Sequence, residues 1–91
     1  MTTADQCAAV IPGEWEECDI FPGEVWLRTG PAERQDVLLV RPSSGSWVAA
    51  ISMGAGEGRF RFIAAEERED VAGALTAIRD RAVGVGLVWP W

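Results

Sequence analysis

Apolar residues recur along this chain at two periods, and the change of period marks its elements. The clearest helical stretch is Glu66–Gly84, where Val71, Ala74, Leu75, Ile78 and Ala82 repeat at i, i+3, i+4, i+7 and i+11, one face of a helix. Glu66, Glu67, Glu69 and Asp70 crowd its expected first turn, Arg79 and Arg81 lie near its end, and both signs complement the helix dipole. Gly84 and Gly86 supply the stop. Upstream the period is two. Asp36–Arg41 and Ser46–Met53 flank the loop "PSSG", and Arg59–Ala64 carries an F-x-F alternation after the loop "GAGEG". Two further strands, Trp15–Ile20 and Glu24–Thr29, each follow a Pro-Gly turn in the echo "PGEW" and "PGEVW". Before them, Thr3 and Gln6 have the spacing of a capping box. Cys7, Val10 and Ile11 share a face, and Pro12-Gly13 ends the short helix.

Short connections favour an antiparallel meander. The expected fold is therefore α+β: a four- to five-stranded antiparallel sheet (14–64) with a C-terminal helix (65–84) on one face. A short N-terminal helix (1–12) precedes the sheet, and an aromatic tail (86–91) ends the chain, all within one domain. Pairing Thr29 with Asp36, Arg41 with Ser46 and Met53 with Gly58 places Val25, Leu27, Leu38, Val40, Trp47, Ala49, Ile51, Phe60 and Phe62 on one face, the natural seat of the helix stripe. On that register Phe62→Ala costs roughly 3–5 kcal/mol.

The same pairing turns Trp26, Val37, Leu39, Val48, Ala50 and Ile63 outward, framed by Arg28, Arg41, Arg59 and Arg61. A solvated sheet face is normally polar. This one has the composition of a covered face or a binding surface. The N-terminal helix or the tail "GLVWPW" could cover it, with Trp89 largely buried and Trp91 less so. Otherwise it is a docking face for a partner or a second copy of the chain, with Trp26 at its centre and Trp91 as a further anchor.

Composition narrows the chemistry. The chain has 91 residues, 48% hydrophobic and 24% charged, with a net charge of −6. That is room for one core, and the negative field disfavours nucleic acid and anionic lipid while leaving basic protein surfaces as partners. There is no histidine and no lysine; every base is arginine. Arginine-only usage fits a GC-rich coding genome, that of a bacterium or its phage. Without histidine the commonest general base and the His-containing metal sites are missing, and Ser or Cys nucleophiles lack their usual partner. "GAGEG" enters a strand and carries Glu57, so it reads as a hairpin loop and not a phosphate cradle; no G-K-[ST] follows. The carboxylates of 14–19 lie in a strand-like run whose alternate residues face opposite ways. No enzymatic activity and no cofactor are expected. Arg59 and Arg61 alternate with phenylalanines that point away from them, so direct nucleic-acid binding is not expected either. Cys7 and Cys18 read as reduced thiols, with a disulfide between them left open. The start lacks a signal-peptide pattern and no stretch has the length of a membrane span, which makes the cytoplasm the expected compartment.

The acids are distributed unevenly. Residues 1–24 hold six and no base, and Glu66–Asp70 forms a second cluster. Two dense negative patches on a small domain can occupy a basic nucleic-acid channel. Small phage-encoded antagonists of DNA-binding machines, CRISPR inhibitors among them, use that device. The expected function is a non-catalytic protein-binding module of this DNA-mimic class, with contacts at Glu14, Glu16, Glu17, Asp19, Glu66, Glu67, Glu69 and Asp70. The alternative is a homo-oligomeric or adaptor subunit that uses the face bearing Trp26, Arg28, Arg41, Arg59, Arg61 and Trp91.

Overall fold

The computed structural model of the protein describes residues 2–18, 21–29, 36–54 and 60–84. Its elements run α1 (Thr3–Val10), β1 (Trp15–Glu17), β2 (Val25–Thr29), β3 (Asp36–Ser43), β4 (Ser46–Gly54), β5 (Phe60–Arg68) and α2 (Val71–Gly84). The strands form one antiparallel sheet in the order β1-β2-β3-β4-β5, the meander that short connections favour. The α+β architecture with two terminal helices is as expected.

Helix α1 is capped one residue earlier than the Thr3–Gln6 spacing implies. Thr2 is extended and serves as N-cap: its hydroxyl accepts the Asp5 N–H at 3.1 Å, and Asp5 Oδ2 accepts the Thr2 N–H at 3.2 Å. Aspartate thus completes the reciprocal box in place of glutamine. The Thr2 N–H, and then its hydroxyl, hold the Asp5 carboxyl below its usual 3.8. Cys7 and Ile11 face inward and are buried. The chain then turns at Gly13, where a Cβ would lie 2.7 Å from Leu27 Cδ1. Trp15 Nε1 donates to Ile11 O at 3.0 Å and ties β1 to the helix end.

The β2–β3 register, Thr29 opposite Asp36, is the expected one. In β3–β4 the hairpin is tighter than "PSSG" implies. Ser43 pairs with Ser46 around Ser44 (φ +45°) and Gly45 (φ +86°), a two-residue turn with both central residues left-handed. Arg41 consequently pairs with Val48 and not Ser46. The slip is two residues, so every side chain keeps its face. Leu38 and Val40 pair with Ile51 and Ala49 in place of Ala49 and Trp47, on the face expected for them.

The β4–β5 pairing corrects the expected register. Gly54, Met53 and Ser52 pair with Phe60, Arg61 and Phe62, but Ile51 pairs with Ala64, leaving Ile63 as an extra residue in a β-bulge. Before the bulge the register differs from the expected one by an odd number, which exchanges the faces. Phe62 therefore stands on the outer face, 65% exposed, and not in the core. Ile63, expected outward, packs against the core. Past the bulge the faces agree again, and Ala64 is buried.

The sheet also runs further than expected. Ala65–Arg68 continue β5 opposite Trp47–Ala50, so α2 begins at Val71 and Glu66 and Glu67 belong to a strand. Asp70 alone caps the helix, its Oδ1 accepting the Gly73 N–H at 2.6 Å.

Both helices pack on the same side. Helix α2 lies against β4 and β5, and α1 lies against α2 and β1. The expected stripe Val71, Ala74, Leu75, Ile78 and Ala82 is the buried face of α2, meeting Val25, Leu27, Leu38, Val40, Ala49, Ile51 and Ala64. Burying each larger aliphatic side chain contributes about 1.5–3 kcal/mol, so this layer dominates stability. Because α1 sits here, it does not cover the opposite face. The tail residues Trp89 and Trp91 lie outside the described residues.

Candidate functional site

The first acid cluster is built on the sheet edge. Among the described residues strand β1 pairs only with β2, and its three residues alternate across the sheet. Trp15, opposite Leu27, turns toward the helices, and Glu16, opposite Trp26, turns outward. Glu14, Glu16 and Glu17 are all exposed. Glu16 Oε2 takes the Arg28 Nε–H at 3.2 Å, a solvent-exposed pair. Such pairs hold weakly and can be exchanged for a partner's cation. Asp19 lies outside the described residues.

The second cluster is brought to the other end of the sheet and is largely occupied there. Glu66, opposite Ala49 on the helix side, accepts from Arg81 and Arg68, each at 3.2 Å. The Arg81 hydrogen bond first, then Arg68, holds the Glu66 carboxyl below its usual 4.5. Glu67, opposite Val48 on the outer face, takes the Ser46 hydroxyl. Asp70 is the α2 cap. Glu69 is exposed. A broad open depression of about 840 Å³ adjoins this cluster, lined by Arg68, Asp70, Thr76, Asp80 and Arg81 among others. Its charges are mixed in sign, unlike those of the β1 edge.

The two clusters therefore do not merge into one acidic surface. They sit on β1 and β5, at opposite edges of a five-stranded sheet. At the usual interstrand spacing that is roughly 19 Å of sheet between them.

Of the alternative interface, Trp26, Arg28 and Arg41 do share the outer face. Trp26 belongs to a row running Glu16, Trp26, Leu39, Ala50, Ala65 across all five strands. A second row runs Arg28, Val37, Ser52, Phe62. Arg61 does not belong here: opposite Met53, it falls on the helix side. Arg59 and Trp91 lie outside the described residues. Val37, 2% exposed, and Ala50 are buried on this face although neither helix packs on it.

One acid that sequence reasoning missed is Glu24. It follows Pro22-Gly23 just as Glu14 follows Pro12-Gly13, yet Glu14 is exposed and Glu24 is only 4% exposed. Its Oε2 is buried with no hydrogen-bond donor. It borders a cavity of about 180 Å³ with Thr3, Glu17, Cys18, Pro22 and Gly23. No sequence signal separates the two glutamates, because the burial arises from the folding of 21–24 against the β1–β2 edge. There the Glu24 N–H donates to Phe21 O, and Glu24 O accepts from Cys18.

The two cysteines are both free thiols: Cys7 is buried and Cys18 half-buried. Among the described residues no group of three or more Cys, Asp or Glu is arranged to hold a metal ion, and no helix is long and apolar enough to cross a membrane. No protein-family model, curated protein or solved structure matches the chain.

Proposed function

We propose that the protein is a non-catalytic acidic binding module that docks on a basic surface of a nucleic-acid-processing complex and inhibits it. The observation that carries this reading is the β1 edge. The first 24 residues hold six acids and no base; Glu16 and Glu17 stand exposed on the short strand β1, on opposite faces of the sheet margin, and Glu14 is exposed just before it. A short, charged edge strand resists pairing with other sheets, which leaves its carboxylates available for ionic contact. Charge of one sign on a small rigid body accelerates encounter with a basic channel and selects against acidic partners. Because Glu66, Glu67 and Asp70 are occupied within the chain, whereas Glu16 holds only a more exposed pair with Arg28, the docking contacts are drawn to Glu14, Glu16 and Glu17, with Asp19 next to them in sequence.

The test is affinity against salt. Once a partner has been isolated from the cell of origin and purified, binding is measured by calorimetry at low and high ionic strength for the natural chain and for Glu16→Lys/Glu17→Lys. Docking through β1 requires steep weakening by salt and a large loss on charge reversal. Binding unchanged by the reversal overturns the reading.

A second reading rests on Phe62. This ring is exposed on the outer face, in the row next to Trp26 and Leu39, with Arg28 and Arg41 at the margins. An apolar patch rimmed by arginine suits self-association. It requires a dimer mass in light scattering that is lost in Trp26→Glu, and a monomer at high concentration would sink it.

A further inference from the structure

A buried carboxylate oxygen without a donor is costly and calls for a specific explanation, commonly a group that occupies the site when the protein works. Glu24 is such a case, as its Oε2 is sealed from water and accepts no hydrogen bond. It is not an isolated polar defect, because the residue borders a cavity of about 180 Å³. That exceeds the ~30 Å³ share of a single water several-fold.

The wall chemistry identifies the occupant. Glu17 contributes a second carboxylate, Thr3 a hydroxyl and Cys18 a sulfur, and among the described residues no cationic side chain lines the cavity. Residues 1–24, which supply most of the wall, contain no arginine or lysine. Among the described residues the site is rich in acceptors and lacks a positive charge. A metal ion is disfavoured, because among the described residues no three acidic or thiol groups converge. An organic cation remains. Of the two basic side chains, the guanidinium is the less strongly hydrated, and its planar fork of donors can meet both oxygens of a carboxylate at once. The terminal torsion of a glutamate is soft, so Oε2 can swing toward a donor in the cavity at little cost.

We infer that the cavity bordered by Glu24, Glu17 and Thr3 is a receptor for one arginine side chain of the docking partner. This rests on the proposed docking through β1 and deepens it. Glu17 is both the end of the acidic edge and a wall of the cavity, so a partner lying along β1 would deliver a side chain to Glu24. The exposed acids steer the partner, and the buried one selects a particular basic residue.

The experiment uses the full chain and three small probes: N-acetyl-arginine amide, its lysine counterpart and its neutral citrulline counterpart, followed by the backbone amide signals in NMR titrations. The arginine probe is expected to shift Cys18, Gly23 and Glu24 saturably at roughly millimolar concentration. The lysine probe should bind several-fold more weakly, and citrulline not at all. Glu24→Gln should weaken the arginine probe about tenfold or more. Glu17→Gln should weaken it by less. The comparison of arginine with citrulline needs no variant, so it holds even where a substitution disturbs folding. Equal shifts from arginine and citrulline, no shift from arginine at those signals, or unchanged binding in a folded Glu24→Gln protein would each overturn the receptor. If the probes leave the cavity unmoved while partner binding is still lost in Glu16→Lys/Glu17→Lys, the receptor falls and docking through β1 stands. If arginine binds as expected while partner binding ignores salt and charge reversal, docking through β1 falls, and with it the partner as source of the side chain.

Discussion

Phe62 stands opposite Ser52 on the outer face of the sheet, one residue before a bulge that turns Ile63 back toward the core. The consequence is a reversal of roles between neighbouring apolar residues. Phe62→Ala removes a ring that is 65% exposed, so its cost should resemble that of a surface substitution, within about 0.5 kcal/mol. Ile51→Ala, at a fully buried position opposite Ala64, should cost about 2–5 kcal/mol. Urea unfolding of the two variants decides the matter. A Phe62→Ala loss in the range of Ile51→Ala would restore the unbulged register and remove Phe62 from the outer face.

That bulge also shows what the residue pattern carries and what it does not. The β2–β3 register was legible because the connection bracketed by Thr29 and Asp36 sets Val25 and Leu27 opposite Val40 and Leu38 on one face. The β3–β4 faces survived a wrong loop length because the slip was even, and the two-residue turn at Ser44-Gly45 differs from "PSSG" by a whole side-chain period. The stripe on α2 was legible because five small or aliphatic residues repeat at helical spacing. The bulge was not, since F-x-F-I-A-A alternates equally well with or without one extra residue. Nor was the start of α2, because Glu66–Asp70 satisfies the charge preference of a helix N-terminus as well as it decorates a strand end. The ladder to Trp47–Ala50 settles that choice through contacts distant in sequence. The exposed carboxylates of β1 were visible as a run of acids, whereas Glu24 was not, its burial being a property of the turn that carries it.

The Glu66–Arg81 contact joins strand to helix, and its response to pH has a definite sign. Arg81, and after it Arg68, lowers the carboxyl's pKa in the folded protein. The folded state therefore holds its proton less tightly than the unfolded chain. The contribution to stability is present above the usual 4.5 and is lost as pH falls through the lowered folded value. Arg81→Leu should lower the urea midpoint at pH 7, and the gap from the natural chain should narrow steadily as the pH is taken below 4.5. A gap that is constant with pH would mean that Arg81 acts through packing and not through Glu66.

Cys7 and Cys18 should differ sharply in reactivity. Burial of Cys7 in the cluster between α1 and the sheet pushes its thiol from 9.0 up to about 12. With almost no thiolate and no access, it should resist iodoacetamide at pH 8, while half-buried Cys18 is modified. In urea both should react. Mass spectrometry of the labelled chain reads this directly, and modification of Cys7 in the folded protein would contradict its place in the core. The same shift has a stability consequence. The unfolded thiol ionises near 9 and the folded one only near 12, so stability should decline as pH rises across that interval.

The β3–β4 turn offers a stabilising substitution. Ser44 holds φ +45° beside Gly45 at +86°, in the two-residue loop closed by the Ser43–Ser46 pair. A left-handed conformation strains most side chains, and asparagine tolerates it best after glycine. Asn-Gly is also the dipeptide that such a turn favours in hairpins. Ser44→Asn should therefore stabilise the fold by up to about 1 kcal/mol. Its side chain is exposed, so no packing change offsets the gain. Ser44→Val tests the same geometry from the other side, since a β-branched residue is poorly accommodated at positive φ, and it should destabilise by about 1–2 kcal/mol. Thermal unfolding of the pair should place the natural chain between them. If Ser44→Val melts at or above the natural chain, the turn is not the left-handed two-residue type, and the slip that carries Arg41 opposite Val48 loses its cause.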